Sequence, residues 1–314
     1  MKRLIFSFII AGFLFGCEDN IHVDLAEADP ILAVDAWLEH RTGEQQIILQ
    51  YTRPYFDNSI AEGIQGASVR VLEVEGTSPK DTLVFTETDE GVYTWSPEIA
   101  SDSFGTIGNL YVLEIIIDGK QFLSQSRLNA VPTIDSITFR QEDGAQNFIP
   151  DFFAAEFWSR DLPGEGDTYW IKAWKNGEYL NQPAEINIAY DAGFSQGAPV
   201  DNILFIQPIR DLINPFDEDP SDDFQFLPPY LKGDSVYVQI QSINYDVWFF
   251  LTNVIDETNR PGGFSELFAT PLSNVHSNIV PQDQNEKAVG IFSVSALHGM
   301  GRKFTDDAIR VVQP

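Results

Sequence analysis

YVLEIIIDGKQFLSQS, residues 111–126, decides the fold class. Two apolar-rich runs flank Asp118-Gly119. That dipeptide favours a two-residue hairpin, because the first position tolerates positive φ and the glycine adopts it without steric cost. Side chains alternate across a strand, so Tyr111, Leu113, Ile115 and Ile117 share one face and Glu114 falls on the other. The pattern extends upstream: Ile31–Leu38, Gln46–Tyr51, Ala67–Val74, Thr82–Glu87 and Gly91–Trp95 are β-rich runs at short intervals. Strands this short and this regularly spaced predict an Ig-like β-sandwich over residues 30–130.

Downstream, Val131-Pro132-Thr133 marks a boundary, since proline restricts the residue before it and interrupts pairing. A second β-rich domain is expected over 131–314, with strands at Ser136–Arg140, Phe152–Ser159, Thr168–Trp174 and Val236–Ile243. Asn176-Gly177 supplies another hairpin turn. Residues 191–232, rich in proline and acid, read as a loop insertion. NYDVWFFLTNVIDETN breaks the β pattern, because its apolar residues fall at helical intervals. A single aromatic-rich helix is expected near 245–258, with Asn244 as N-cap, Asp246 in the dipole-favoured first turn and Pro261-Gly262-Gly263 as its end. The stretches around His276 and His298 read as polar loops. The fold class is thus mainly β: a sandwich, then a β-rich domain carrying one helix.

Charge narrows the function. The chain has 19 Lys+Arg against 47 Asp+Glu, a net of −28. Nucleic-acid binding requires basic surface that displaces counterions, so it is excluded, as is electrostatic adhesion to anionic lipid.

The N-terminus carries the plainest targeting signal. Met1-Lys2-Arg3 precedes an apolar run from Leu4 to Phe15, the pattern of a secretory signal and too short for a membrane span. The run ends in Leu14-Phe15-Gly16-Cys17, which resembles the bacterial lipobox. Residues 1–16 are then the signal peptide, the only cysteine in the chain is the lipid attachment point, and 17–29 form an acidic tether. Two or more acyl chains hold a protein on a membrane without a spanning helix. Glu18 and Asp19, directly after the cysteine, resemble the surface-export signal of some outer-membrane lipoproteins.

Motifs for chemistry are sparse. GFSQG, Gly193–Gly197, matches G-x-S-x-G, but that elbow needs a strand before the serine and a helix after it, and here Pro199 follows within loop-like sequence. The match reads as coincidence. The four histidines, His22, His40, His276 and His298, show no ligand spacing, and the second cysteine of a structural zinc site is missing. FDEDPSDDF offers Asp217, Asp219, Asp222 and Asp223 as calcium candidates, although the EF-hand order fails at Pro220 and Ser221. It reads as a solvated acidic loop. Core packing accounts for most of the six tryptophans, with Trp37 and Trp95 the open cases. Asp81-Thr82-Leu83, Asp135-Ser136-Ile137 and Asp234-Ser235-Val236 resemble a short O-glycosylation signal at little above chance frequency.

In order and spacing, several segments resemble one family. These are Cys17-Glu18-Asp19, Pro30–Trp37, Arg53-Pro54-Tyr55-Phe56-Asp57, Gly66–Val69, Gly91-Val92-Tyr93, Pro132–Ser136, Gly233–Val236 before the aromatic helix, Ala269-Thr270-Pro271, Asn278-Ile279 and Gly290-Ile291-Phe292. The chain resembles the Bacteroidota outer-membrane lipoproteins of unknown function (DUF4249-like) commonly encoded beside TonB-dependent, SusC-like transporters. Val280-Pro281-Gln282-Asp283 replaces the usual glycines of that family. The resemblance implies an outer-membrane, surface-exposed lipoprotein. It would be a non-enzymatic accessory or ligand-capturing partner of such a transporter, without a cofactor. A glycan-binding or adhesive module that acts without a transporter is the alternative, and a hydrolase using Ser195 is the third reading.

Overall fold

The computed structural model describes residues 29–54, 57, 59–142, 152–215, 217, 227–260 and 273–310. The fold is mainly β. Strands β1 (Leu32–Glu39), β2 (Gln45–Tyr51), β3 (Ser68–Glu75), β4 (Ser78–Asp89), β5 (Val92–Trp95), β6 (Leu110–Ile117) and β7 (Lys120–Arg127) come first. A two-stranded sheet follows, β8 (Ile134–Glu142) with β9 (Phe152–Ser159). Then come β10 (Thr168–Lys175), β11 (Glu178–Leu180), β12 (Asn187–Tyr190), a short helix α1 (Gln207–Asp211), β13 (Ser235–Ile243) and α2 (Tyr245–Thr258). The last strands are β14 (Val280–Pro281), β15 (Ala288–Ser295) and β16 (Leu297–Lys303).

The hairpins form where their turn chemistry places them. Asp118 and Gly119 have φ of 50° and 79°, and Asn176 and Gly177 have 52° and 87°. Both turns therefore have positive φ at both central positions, which matches the right-handed twist of the flanking strands. Tyr111, Leu113 and Ile115 lie in the first core with Leu38, Ile47, Val71 and Phe104.

That core is wrapped by one nine-stranded sheet in the order β14-β7-β6-β3-β4-β5-β2-β1-β15. The two layers of the expected sandwich are halves of this single sheet, which curls into a nearly closed barrel. Side chains bridge the seam between its ends. The Asn278 amide donates to Phe292 O at 2.8 Å and accepts from Phe292 N–H at 2.9 Å. Ser126 Oγ accepts from Val294 N–H at 2.9 Å. Polar side chains thus satisfy edge groups that a neighbouring strand would otherwise pair.

The division at residue 131 does not separate the sheets. β15 lies near the C-terminus yet pairs in parallel with β1, from Leu32↔Ala288 to Glu39↔Ser295. One residue later the chain enters β16, an edge of the second sheet, whose order is β11-β10-β13-β16 with β12 also on β10. Ala296 is the crossing point, held by Ser242, whose N–H donates to Ala296 O at 2.9 Å and whose Oγ accepts Ala296 N–H at 3.1 Å. The expected two contiguous domains therefore share a continuous strand. The reason is physical: β1 is an edge until a distant segment covers it, and short-range pattern does not reveal that partner. His298, expected in loop, lies in β16 and its Nδ1 accepts from Ile134 N–H at 3.1 Å.

Two corrections concern helices. A second helix, α1, interrupts the expected loop insertion. Asn244 stands at the N-cap of α2 but does not cap it with its side chain. Its amide pairs instead with Arg127, donating to the carbonyl at 3.0 Å and accepting from the N–H at 3.2 Å, and donates to Ser126 Oγ at 2.7 Å. The residue ties α2 to the edge of the first sheet. α2 then lies across the outer face of the second sheet, where Val247 and Leu251 bury Ile188 and Ile243, with Trp37, Trp170 and Phe250 packed around them.

Candidate aromatic and amide face

Alternation along β10 sends Tyr169, Ile171 and Ala173 into the second core. It leaves Trp170, Lys172 and Trp174 on the outer face. Antiparallel register sorts their neighbours into rows. Trp174 pairs with Tyr179 on β11 and Tyr237 on β13, and Tyr237 pairs with Gly301 on β16. The next row is Lys172, Gln239 and Gly299, and the one after it Trp170, Gln241 and Leu297.

The first row is continuous. Ring centroids are 5.0 Å apart for Trp174–Tyr179 and 5.4 Å for Trp174–Tyr237. Tyr237 can lie flat because β16 presents glycine beneath it: a Cβ on Gly299 would collide with the Tyr237 ring. This is the rescue of strand glycine by a cross-strand aromatic. Tyr237 keeps 40% exposure, and Trp174 and Tyr179 are half-buried. Burial pushes the Tyr179 hydroxyl up to about 12, with the Glu185 carboxylate adding to it.

The Trp170 end is walled by β1 and α2. Trp37 packs on Trp170 at 5.3 Å and on Phe250 at 6.2 Å. Gln241 Nε2 donates to Glu39 Oε1 at 2.7 Å and to Gln239 Oε1 at 3.1 Å, which forms a polar chain from the wall onto the floor. Lys172 Nζ sits 3.8 Å above the Trp170 ring. Burial lowers its pKa, and the Glu39 carboxylate opposes that shift. The face therefore offers ring faces, amides and one ammonium balanced by one carboxylate. Rings and amides in this arrangement suit the binding of a ligand.

The residues singled out in the sequence fall elsewhere. Cys17, Glu18, Asp19, Asp219, Asp222 and Asp223 lie outside the described residues. Asp217 is partly exposed, and among the described residues no three His, Cys, Asp or Glu side chains could hold a metal ion. Ser195 sits in an exposed loop after β12, followed by Gly197 at φ 81° rather than by a helix. No described histidine hydrogen-bonds to it. His276 Nε2 stands 3.3 Å from Asp246, lining a groove of about 390 Å³ with Val112, Leu123 and Val280. Trp95 packs edge-on to Phe104 in the first core. Trp174, expected inside, is on the outer face.

Two polar clusters escaped the sequence reading. Glu156, only 1% exposed, accepts from Arg140 at 3.2 Å and forms ion pairs with Arg310 Nε at 2.6 Å and Arg210 at 3.9 Å. The Arg210 and Arg310 guanidinium groups also lie over Trp158, at 3.9 and 5.0 Å. The second cluster gathers carboxylates. Burial and the neighbouring Asp161 and Asp191 push Asp167 up to about 6. Asp161 is raised by burial, although Tyr169 OH donates to it at 2.7 Å. Neither cluster has an advance signal: Glu156 alternates away from the core residues Ala155 and Phe157 and is buried by distant arginines, and Asp161 and Asp167 lie in the turn between β9 and β10.

No curated protein matches the chain. A family model described as a domain of unknown function, DUF4249, matches residues 18–298. That match covers most of the chain, including every strand from β1 to β15, and the chain belongs to the DUF4249 family.

Proposed function

We propose that this protein is a lipid-anchored outer-membrane lipoprotein, exposed at the cell surface, that captures ligand as a non-enzymatic accessory of a TonB-dependent transporter. The observation that carries the binding role is the outer face of the second sheet, where Tyr237 is exposed and Trp174, Tyr179 and Gln239 are partly exposed in adjoining rows. The anchoring role rests on Leu14-Phe15-Gly16-Cys17. Residues 18–29 would then tether the sheets up to ~40 Å from the bilayer when extended. Glu18 and Asp19 support display on the outer side. The strong net negative charge favours a body held off an anionic membrane by its tether rather than lying on it. The link to a transporter rests on the order of sequence segments from Cys17 to Phe292.

Co-purification tests the partnership. Outer membranes solubilised in mild detergent are expected to yield this protein together with a TonB-dependent transporter. Recovery of the protein alone, under conditions that keep other transporter complexes intact, overturns it. Fractionation tests the anchor. Cys17→Ala is expected to move the chain from the membrane pellet to the soluble fraction without detergent, and retention in the pellet overturns that part.

A further inference from the structure

We infer that the outer face of the second sheet is a platform for a short, uncharged oligosaccharide, lying across β11, β10 and β13. This rests on the ligand-capturing reading and names the ligand class. A pyranose presents an apolar C–H face and a rim of hydroxyls, so its site needs flat aromatic surface beside hydrogen-bonding groups. The pair Tyr179–Trp174, tilted by 31°, supplies the first on two neighbouring strands, and Tyr237, turned 60° from Trp174, closes the row on the third. At ~4.8 Å per strand it runs about 10 Å, which is more than one sugar ring covers. Gly299 and Gly301 keep the β16 side low, so the row is not walled there.

The adjoining row supplies the second requirement. Gln239 Oε1 already accepts from Gln241, but among the described residues nothing accepts from Gln239 Nε2. Lys172 Nζ rests on the Trp170 ring, and no described protein group accepts a hydrogen bond from it. Both stand next to the aromatic row as donors for hydroxyl oxygens. Charge selects among polar ligands. Lys172 and Arg41 stand against Glu39 and Glu185, so the face is close to neutral within a chain of net charge −28. Polyanionic chains are repelled by the whole molecule, and polycations meet no local carboxylate cluster on this face. An uncharged ligand with many hydroxyls fits. Cross-strand aromatic pairs also stabilise sheets without any ligand, and the test must separate the two roles.

The full chain, held in a detergent without a sugar headgroup, is titrated with maltohexaose, cellohexaose, laminarihexaose and chitohexaose by calorimetry and tryptophan fluorescence. At least one is expected to bind and to perturb the fluorescence. Tyr237→Ala and Gln239→Ala are each expected to weaken that binding about tenfold or more, with an unchanged circular dichroism spectrum. Trp174→Phe keeps a ring in place and is expected to retain the fold while weakening binding severalfold. Absence of binding to all four at millimolar concentration overturns the inference. So does binding that both Tyr237→Ala and Gln239→Ala leave intact. Capture of decaproline at this face in place of every saccharide overturns the ligand class. Transporter co-purification does not depend on these titrations, so the ligand class can fail while the accessory role stands.

Discussion

At the scale of single residues, two positions carry more weight than their size implies. Gly290 sits in β15 with φ 115°, opposite Val34 of the parallel partner β1. A Cβ there would collide with the Val34 carbonyl oxygen, which is backbone and cannot move aside. Gly290→Ala is expected to cost about 3 kcal/mol or more, read as a lower urea midpoint with little change in slope. Glu156 is the other. Its carboxylate is the shared partner of three guanidinium groups, and Thr138 Oγ1 donates to it at 3.3 Å. Removing one member of a buried charge network leaves the rest uncompensated. Glu156→Ala is expected to destabilise by roughly 3–5 kcal/mol, whereas Arg41→Ala, which breaks an exposed pair with Glu39, should change stability by less than about 1 kcal/mol. Urea unfolding of both variants checks the contrast.

At the scale of elements, Asn244 shows how a reading can be right about position and wrong about role. If its side chain capped α2, Asn244→Asp would be neutral or stabilising, since aspartate caps well and favours the helix dipole. The amide instead donates to Arg127 O and Ser126 Oγ, and a carboxylate cannot donate. Asn244→Asp is therefore expected to cost about 1–2 kcal/mol, and a stabilised variant in thermal melts would contradict the pairing. What was legible follows the range of the interaction. The turns at Asp118-Gly119 and Asn176-Gly177 encode their own φ values, and α2 shows its 3.6-residue period over four turns. β15 was not legible. AVGIFSVS is short, contains a glycine whose reason is the close approach to Val34, and pairs with a strand at the far end of the chain. β16, LHGMGRK, has glycines in place of its outward side chains, so it lacks the alternation that marks a strand, and Tyr237 supplies the cover from a neighbour. The aromatic face was hidden for the same reason. Trp170 and Trp174 read as core on their own, and only the register with β11, β13 and β16 turns them outward.

At the scale of the whole molecule, the strand that runs from β15 through Ala296 into β16 makes the two sheets one unit. Val131 packs against both cores and adds to the coupling. A chain ending at residue 130 lacks β14 and β15, which leaves β1 and β7 as bare edges, and it is expected to stay unfolded by circular dichroism; a folded fragment would show the shared strand to be dispensable. Charge sets a second property of the whole. The proton on Asp167 is held more tightly in the fold than in the unfolded chain, because its folded pKa near 6 lies above the ordinary 3.8. Its contribution is unfavourable above that window and vanishes below about pH 4. Asp167→Asn, which keeps the size of the side chain and cannot ionise, is thus expected to raise stability by about 1–2 kcal/mol at pH 7.5 and to match the parent at pH 3.5 in denaturant titrations. The shared strand has one more consequence, and it concerns time. A chain made N-terminus first presents β1 early, but β15 only after every other strand of the first sheet. Closure of the barrel must await that late arrival, and such distant pairing is intrinsically slow. The first sheet therefore gains its last strand only when both sheets can lock together. For a chain made from its N-terminus, the topology itself acts as the timer of closure.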